Sequence, residues 1–410
     1  MSGRCIFCGS ANQHLVLALG RQPLANSYLT SAQLHAPEPV FPLDLYVCED
    51  CMLCHIEPVA SPEQLFGDYA YFASYSTTWL AHAKAYVDMI TDRLGLDASS
   101  RVVELASNDG YLLQYFNEQG IPCLGIEPAA NVAEAARAKG IPTRVCFFGR
   151  AAARDLAQEG FLADLIIGNN VLAHVPEPNE FVAGLKILLK PQGVVTMEFP
   201  HLYRLVEENQ FDTIYHEHFS YFAFFVVKKV FAAHGLTVFD VEELPTHGGS
   251  LRVYARHEED ASRPVAARVA ALLEREEMAG MTALEYYERF GARVAKVKEA
   301  ILAFMQQARK EGKRIVGYGA PAKGNTLLNY CGIGTDYIDY TVDRNPHKQG
   351  LYLPGTHIPI RAPVQVREDR PDYLFILPWN LTDEIVEQMQ HIREWGGQFV
   401  APIPEVRIIQ

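Results

Sequence analysis

The sequence lacks the features of a nucleic-acid-binding protein or a membrane protein. Its 36 lysine and arginine residues are outnumbered by 49 aspartate and glutamate residues, which gives a formal net charge of −13. Phosphate backbones are bound by basic surfaces, so this charge argues against a nucleic-acid partner. No apolar run is long enough to span a membrane, and we find no signal peptide. We therefore expect a cytoplasmic protein with no membrane partner, either a monomer or a weak oligomer.

Cysteine is scarce, with eight residues in a chain of 410. In a cytosolic protein such residues are better explained as thiols or metal ligands than as disulfides. Cys5 and Cys8 form one CxxC turn, and Cys48 and Cys51 form another. Two such turns create a tetrahedral thiolate site suited to Zn²⁺, and four protein ligands leave no position for a substrate, so the metal should be structural. Cys54 is an alternative fourth ligand; we prefer Cys51 because it shares a turn with Cys48.

A nucleotide-type cofactor site is indicated in the middle of the chain. The apolar run 102–105 ends in small, turn-forming residues before an amphipathic stretch, and a second apolar run, 123–126, ends in Glu127. Small residues let the backbone approach a ligand, and an acid about 20 residues further on can hold a ribose diol. An ordinary βαβ unit is the alternative. The dinucleotide pattern needs three glycines, whereas S-adenosylmethionine suits the residues found in those slots, which are Ala106, Asn108 and Gly110.

The middle of the chain alternates short apolar runs with amphipathic ones, which predicts a doubly wound parallel sheet. Ligands bind outside the carboxyl ends of such strands, so the polar residues Asn169, Asn170 and His174 should lie near the cofactor. They could equally be hydrogen-bonding loop residues. The predicted strands are 102–105, 123–126, 164–168 and 194–199, and the predicted helices lie near 109–118, 129–138, 150–157 and 179–189.

A cluster of reactive side chains follows this sheet, with Tyr215, His216, Glu217, His218 and Tyr221 within seven positions. Two histidines separated by one residue can bind a metal only with further ligands, which we do not find, and the pattern is not HExxH. The other interpretation is a general base oriented by a carboxylate. Each residue alone could be structural, but the whole cluster favours an active site.

A second strand, turn and helix unit follows a helical stretch between about residues 263 and 311. Lys323, near the start of its helix, is placed for a diphosphate. We predict a further strand over 337–342, which leads to Asp343, a loop over 354–371 and another strand from Asp372. The chain would then contain two Rossmann-like halves, unless the second is a vestigial duplication that only packs against the first.

Several motifs occur in one order along nearly the whole chain. They are ELASNDG from Glu104, NNVLAHVP from Asn169, IYHEHFSYF from Ile214, THGGSLRVY from Thr246 and VGYGAPAKGN from Val316. With the cysteine turns, they resemble the S-adenosylmethionine-dependent C-methyltransferases of nucleotide sugars, such as the C-3 methyltransferase of tetronitrose biosynthesis. The resemblance implies an α/β chain with a zinc-binding module (1–65), a Rossmann-like methyltransferase domain (66–258), a helical bridge (259–312) and a Rossmann-like nucleotide-sugar domain (313–410).

The resemblance also implies roles for individual residues. His218 would be the base, and Glu217 would orient it. Tyr215 or His174 would stabilise the enolate. Tyr71 would belong to a lid whose register over 69–75 is open, and the role of His216 is open too. Expected cofactor residues are Glu104, Ala106, Asn108, Gly110, Glu127, Asn169 and Asn170. Expected substrate residues are His247, Gly248, Arg252, Gly319, Lys323, Asn325 and Asp343.

The implied reaction is methyl transfer from S-adenosylmethionine to a sugar carbon, expected to be C-3, of a nucleotide-linked 4-keto-6-deoxyhexose. The nucleotide expected is dTDP, with GDP and CDP as alternatives. A base would remove the proton next to the ketone, and the enolate would attack the methyl group. The competing hypotheses are an O- or N-methyltransferase acting on a small metabolite and a non-enzymatic nucleotide-sugar-binding protein.

Overall fold

The computed structural model describes residues 3–66 and 73–410, which are organised around three β-sheets. In chain order the strands are β1 (Gln13–Gln22), β2 (Phe41–Cys48), β3 (Cys54–Ile56), β4 (Val102–Leu105), β5 (Cys123–Ile126), β6 (Thr143–Arg144), β7 (Ala163–Asn169), β8 (Leu189–Pro200), β9 (Ser220–Tyr221), β10 (Leu236–Leu244), β11 (Ser250–His257), β12 (Ile315–Tyr318), β13 (Thr341–Val342), β14 (Ile360–Arg361), β15 (Tyr373–Ile376), β16 (Gln398–Ala401) and β17 (Arg407–Ile409). The α-helices are α1 (Pro62–Phe66), α2 (Thr77–Leu94), α3 (Leu113–Glu118), α4 (Ala130–Ala138), α5 (Arg150–Gln158), α6 (Pro178–Leu188), α7 (Leu202–Glu207), α8 (Phe224–Ala232), α9 (Ala267–Met278), α10 (Leu284–Lys310), α11 (Ala322–Cys331), α12 (Val364–Asp369) and α13 (Thr382–Gln388).

The first sheet has the order β1-β2-β3-β9 and is antiparallel throughout. Its long β1–β2 ribbon pairs Gln13 with Cys48 at one end and Gln22 with Phe41 at the other. The fourth strand, β9, belongs to the middle of the chain and completes the sheet of the N-terminal module. The module is therefore joined by backbone hydrogen bonds to the segment that carries the predicted catalytic cluster.

The central sheet has the order β10-β11-β8-β7-β4-β5-β6. The strands from β4 to β8 run parallel, and β10 and β11 form an antiparallel edge beside β8. All four residues of β4 are buried, as a strand covered on both faces requires. The predicted doubly wound sheet is confirmed, and β4 and β5 have the predicted bounds. The two-residue strand β6 was missed because it is too short to show a pattern.

The third sheet has the order β14-β13-β12-β15-β16-β17, with β12 parallel to both β13 and β15. This parallel core confirms the second Rossmann-like half. Two local predictions differ from the structure. The strand expected over 337–342 is only Thr341–Val342, because 335–337 form a turn, and the loop expected over 354–371 contains β14 and α12.

Helix α10 connects the N-terminal module to the C-terminal half. It packs against β1, where a side chain at Gly291 would come within 3.0 Å of the Val16 carbonyl oxygen, and it also contacts α11. Its buried side chains repeat at helical spacing along the whole helix, from Tyr286 to Ala308. Among the residues that the structure describes, no helix combines the length and the apolar character needed to cross a membrane.

A buried carboxylate ties α9 to the central domain. Glu276 accepts hydrogen bonds from the backbone N–H groups of Phe224 (2.6 Å) and Phe225 (2.8 Å), at the start of α8. It also lies 2.7 Å from Nε2 of His201, and both side chains are 1% exposed. Glu276 thus satisfies helix N–H groups that have no partner inside α8.

We predict that Glu276→Ala lowers the free energy of unfolding by about 3–5 kcal/mol, because it removes one member of a buried, hydrogen-bonded pair. The matched control is Glu277→Ala, whose side chain is exposed on the same helix. Urea titration followed by circular dichroism would measure both. Equal stability losses for the two variants would contradict the assigned capping role.

Candidate active site

The zinc module brings four cysteines together. The sulfur atoms of Cys5, Cys8, Cys48 and Cys51 all lie within 4.8 Å of one another, and two of the pairs are 3.5 Å apart. A tetrahedral zinc site with bonds of about 2.3 Å needs sulfur atoms about 3.8 Å apart, so this donor set fits Zn²⁺. Cys54 lies outside the cluster, buried on β3. The structure thus groups Cys51, and not Cys54, with the other three cysteines, and Cys51 remains the predicted fourth ligand.

We expect one zinc ion per chain and its loss in Cys51→Ser, together with unfolding of the module, because structural zinc contributes folding free energy directly. Cys54→Ser is the matched control: it removes a buried thiol next to the cluster and should keep the metal. Elemental analysis and limited proteolysis of the two variants would check this. A folded Cys51→Ser protein with full zinc content would contradict the ligand assignment.

A cleft of about 800 Å³ opens where the three parts of the chain meet. Its walls come from the loops after β4, β5 and β7, from the turn before β9, from the start of α11 and from residues 24–28 of the N-terminal module. These loops meet because the carboxyl ends of parallel strands lie at one edge of the sheet. The cleft is large enough for a cofactor and a second ligand together.

The turn after β4 forms the cofactor side of the cleft. Ala106, Asn108 and Gly110 all have positive φ angles, of 53°, 49° and 75°. Glu127 lies across this turn, and its two carboxylate oxygens accept hydrogen bonds from the backbone N–H groups of Asn108 and Ala129, both at 2.9 Å. Burial raises the pKa of Glu127, and these two N–H groups oppose the shift. The carboxylate is thus held at the end of β5 and faces the cleft.

Two expected cofactor residues lie behind this turn. Glu104 is buried within β4, where burial raises the pKa of its carboxyl well above the usual range. Gly110 faces Ile141, whose side chain would lie 3.0 Å from an added Cβ atom. Of the expected cofactor residues near this turn, Ala106, Asn108 and Glu127 line the cleft that the described residues form, whereas Glu104 and Gly110 do not.

Asn169 and Asn170 stand at the end of β7 and line the same cleft. Asn170 Nδ2 lies 3.0 Å from Nε2 of His247. Asn169 Nδ2 and Asn170 Oδ1 are buried and have no hydrogen-bond partner within residues 3–66 and 73–410. Buried polar atoms usually have partners, so these two fit a site that is completed by a polar ligand such as S-adenosylmethionine.

An aromatic wall lines this side of the cleft, and of its members the sequence marked only His247 as functional. Trp79 stacks on His82 with ring centroids 5.0 Å apart, on Tyr111 at 6.0 Å, and meets His247 edge-on at 5.2 Å. The structure places Trp79, Tyr111 and His247 on the cleft.

The predicted catalytic cluster forms a hydrogen-bonded pair. The Tyr215 hydroxyl lies 2.9 Å from Nε2 of His218, and Nδ1 of His218 lies 2.9 Å from the carbonyl oxygen of Thr213. A carbonyl only accepts, so Nδ1 carries the hydrogen and Nε2 receives the Tyr215 hydroxyl. The orienting partner of His218 is therefore Thr213 rather than the expected Glu217, because the turn directs these neighbouring side chains to different partners.

The histidines of the cleft are held in the neutral form. The ring centroid of His174 lies 4.6 Å from that of His218. Desolvation lowers the pKa of both His174 and His247 to about 4. Desolvation and the neighbouring His174 together hold the pKa of His218 well below its usual range. His218 therefore keeps a lone pair at Nε2 throughout the neutral pH range.

Two lysines of the C-terminal half also line the cleft. Lys323 donates to Oδ1 of Asn380 at 2.7 Å and lies 4.4 Å above the Trp379 ring. Desolvation lowers the pKa of Lys323 to about 8, opposed by the charge of Asp212. Lys348 donates to the Ala320 carbonyl at 2.8 Å. The sequence did not mark Lys348 as a site residue.

Several other predicted site residues lie outside the wall of the cleft that the described residues form. Arg252 is bonded to the buried carboxylate of Glu198 at 2.9 Å, and Asn325 donates to the Ala25 carbonyl at 2.6 Å. Asp343 accepts from the Ala320 N–H at 2.8 Å. The remaining two are glycines that pack against other side chains: Gly248 against Trp379 and Gly319 against Pro378.

Two residues expected near the catalytic cluster, His216 and Tyr71, had a role or a register that the sequence left open. His216 is buried and faces the N-terminal module, where its Nε2 lies 3.1 Å from the Pro42 carbonyl oxygen. It joins two parts of the chain and does not line the cleft. Tyr71, the expected lid residue, lies outside the described residues.

Comparison with known proteins identifies the family. Successive segments match three family models: a zinc binding domain over 5–66, a methyltransferase domain over 79–241 and a C-methyltransferase C-terminal domain over 245–404. The chain is 38% identical over 405 residues to the C-methyltransferase NovU of Streptomyces niveus, a match that covers 99% of this chain and 96% of NovU. The chain belongs to this C-methyltransferase family. It is an S-adenosylmethionine-dependent C-methyltransferase with a structural zinc site.

Solved structures resemble parts of this C-methyltransferase. The PH0226 protein of Pyrococcus horikoshii has a TM-score of 0.38 and 16% identity, and the match covers 48% of this chain and 97% of that one. The magnesium protoporphyrin IX methyltransferase of Synechocystis, solved with bound SAH, has a TM-score of 0.34 and 16% identity, with coverage of 43% and 82%.

Proposed function

We propose that this C-methyltransferase methylates the C-3 carbon of a nucleotide-linked 4-keto-6-deoxyhexose, with dTDP as the nucleotide. The observation that carries the proposal is the pair of Tyr215 and His218 on the wall of the same cleft that the cofactor turn after β4 and two lysines of the C-terminal half also line. This arrangement suits a substrate with an acidified C–H bond at one end and a diphosphate at the other.

In this proposal His218 removes the proton next to the ketone. Its Nδ1–H is held by Thr213, so the lone pair stays on Nε2, where it accepts the Tyr215 hydroxyl. The Tyr215 hydrogen turns away from Nε2 when the substrate presents its C–H proton there. Once Nε2 is protonated, it donates to the Tyr215 oxygen instead of accepting from it. The Tyr215 hydrogen is then free to turn towards the enolate oxygen, so a single proton transfer also creates the donor that stabilises the new negative charge.

The cofactor supplies an electrophilic methyl group on a sulfonium when bound. In the proposal Glu127 accepts hydrogen bonds from the ribose, and the small residues of the turn allow the backbone to approach. Asn169 and Asn170, with their unsatisfied buried atoms, would hold the other polar groups. Trp79 and Tyr111 would exclude water from the reacting carbon.

The C-terminal half would bind the nucleotide part of the substrate. Lys323 and Lys348 are ammonium groups on the cleft wall, and Lys323 follows the first residue of α11, where the helix dipole favours an anion. We assign the sugar-facing role to Glu217. Because Thr213 orients His218, the Glu217 carboxylate is left to accept hydrogen bonds from sugar hydroxyl groups.

The substrate class is tested by incubating the enzyme with S-adenosylmethionine and 4-keto-6-deoxyhexoses linked to dTDP, GDP or CDP. Mass spectrometry should show the gain of one methyl group with the dTDP sugar, and nuclear magnetic resonance should place it on C-3. A methyl group found on oxygen or nitrogen would instead support the alternative class of methyltransferase.

Glu127→Ala should weaken S-adenosylmethionine binding by about 1–3 kcal/mol, the cost of losing a hydrogen-bond partner for a charged group. The control is Glu134→Ala, which removes an exposed carboxylate from the adjacent α4. Calorimetric titration with S-adenosylhomocysteine would measure both affinities. Unchanged affinity in Glu127→Ala would mean that the ribose lies elsewhere.

His218→Asn should bind both ligands but lose about 10²–10⁴-fold in turnover, the usual contribution of a general base. Proton removal can be followed separately: in D₂O, with S-adenosylhomocysteine replacing the methyl donor, the native enzyme should exchange the substrate C-3 proton and the variant should not. His234→Asn removes a hydrogen-bonded histidine outside the cleft and serves as control. If His218→Asn exchanges normally, His174 becomes the leading candidate for the base.

A further inference from the structure

The zinc module contributes a wall of the active site. Its strand β1 ends at Gln22, and the segment immediately after it, 24–28, lines the cleft through Leu24, Asn26, Ser27 and Tyr28. The cysteine cluster lies at the opposite end of the same ribbon, where Gln13 pairs with Cys48. Ten residues of strand separate the two ends, roughly 30 Å. The metal therefore fixes one end of a ribbon whose other end reaches the site of chemistry.

Asn26 makes the decisive contact at this end. Its side-chain nitrogen lies 2.7 Å and 2.9 Å from the two carboxylate oxygens of Glu217, which is only 3% exposed. A carboxylate only accepts hydrogen bonds, so the amide nitrogen must face it. The amide oxygen lies 3.3 Å from the Tyr28 hydroxyl, which donates to the Ala320 carbonyl at 2.5 Å. These contacts link the module, the central domain and the C-terminal half through two side chains, Asn26 and Tyr28.

We propose that Asn26 is a positioning residue of the methyltransferase, which holds the Glu217 carboxylate against the substrate and so makes the zinc module a working part of the active site. The inference rests on the sugar-facing role proposed for Glu217. Asn26 itself does not need to touch the substrate, because it acts through the carboxylate that it binds.

The surroundings of Glu217 give the inference a measurable consequence. Burial raises the pKa of Glu217 to about 7, and the Asn26 amide and the Lys348 ammonium both oppose that shift. The other titratable groups around it are the Tyr28 phenol and the His174 ring, which meets the Glu217 backbone and stays neutral. His218 and Tyr215 follow on the same turn. Asn26 and Lys348 are thus the groups that favour the ionised carboxylate.

Loss of the Asn26 amide should move the pH dependence of Glu217 in one direction. A carboxylate works above its pKa and is lost as the pH falls through it. Removing the Asn26 donor leaves the burial effect and raises the pKa of Glu217 further. The acidic limb of the kcat/KM profile, which reports ionisations of the free enzyme, should therefore move to higher pH by about one to two units.

Two variants separate this role from simple packing. Asn26→Ala removes the donor, and Asn26→Asp keeps the shape while placing a second carboxylate against Glu217, so its upward shift should be larger. The matched controls are Asn12→Ala and Asn12→Asp, because Asn12 is an exposed asparagine of the same module that also binds a carboxylate, Asp50, at 3.3 Å. All four proteins should keep one zinc ion.

The ionisation of Glu217 is read first without any substrate. Infrared difference spectra recorded across the pH range should contain a carboxyl signal that disappears in Glu217→Gln, and that signal should titrate at higher pH in both Asn26 variants. The pH profile of kcat/KM is then measured with the nucleotide sugar that the enzyme is found to methylate. If the carboxyl signal titrates at higher pH in the Asn26 variants but the native enzyme shows no turnover, the proposed substrate is wrong. If the signal titrates at the same pH in the native enzyme and in the Asn26 variants, the inference about Asn26 is overturned.

The kinetic outcomes are equally distinct. An acidic limb displaced upwards, with activity recovering at high pH, supports the positioning role. A loss of the same size at every pH, with the limb unmoved, assigns Asn26 to structure alone and overturns the inference. If Asn26→Ala does not fold, the near-isosteric Asn26→Asp variant supplies the same measurements.

Discussion

The pairing of β9 with β3 is the interaction on which the active site depends. Ser220 and Tyr221 continue the sheet of the zinc module, while the preceding Phe219 donates its N–H to the Ala173 carbonyl at 2.7 Å and accepts from the Ile56 N–H at 3.1 Å. One short strand is thereby bonded to the module and to the loop after β7. The turn that carries Tyr215 and His218 ends at this strand, so backbone hydrogen bonds fix the end of that turn.

Burial explains the electrostatics of the site. Removing water disfavours charge, so the histidines stay neutral, a carboxyl group titrates near neutrality and the pKa of a lysine is lowered. Each of these groups would be costly to bury alone, and each has a fixed polar partner: Thr213 for His218, Asn26 for Glu217 and Asn380 for Lys323. Such partners hold proton positions in place before a substrate arrives, which is what proton removal from carbon requires.

The metal supports this arrangement from a distance. Zinc fixes the end of the β1–β2 ribbon, and the ribbon carries Asn26 and Tyr28 to the cleft. A small module of about 60 residues has too little core to hold a long ribbon unaided, so the metal replaces buried area. The connection explains how a closed, structural metal site can belong to an enzyme whose chemistry does not use it.

The parts that local pattern controls were predictable from the chain. The strands at 102–105 and 123–126 follow from short, mainly apolar runs, and the predicted zinc ligands follow from the CxxC spacing, because both depend on residues only a few positions apart. The turn of Ala106, Asn108 and Gly110 and the acid at Glu127 are of the same kind. The candidate base in Tyr215–His218 was visible as an unusual density of reactive side chains. Its hydrogen-bond partners were not visible.

Only the tertiary structure decided which distant groups meet. Asn26 reaches Glu217 across 191 positions of sequence, and Asn325 reaches Ala25 across 300. Nothing in the local pattern around Asn26 distinguishes it from an ordinary loop asparagine. Arg252 is the opposite example. Its motif predicted a substrate residue, but its side chain forms an ion pair with the buried carboxylate of Glu198. The chain alone was sufficient to predict strands such as β4 and β5, the metal-ligand pattern and the chemical inventory of the site. The fold determined partners and ionisation, because both depend on burial and on contacts between segments far apart in the chain.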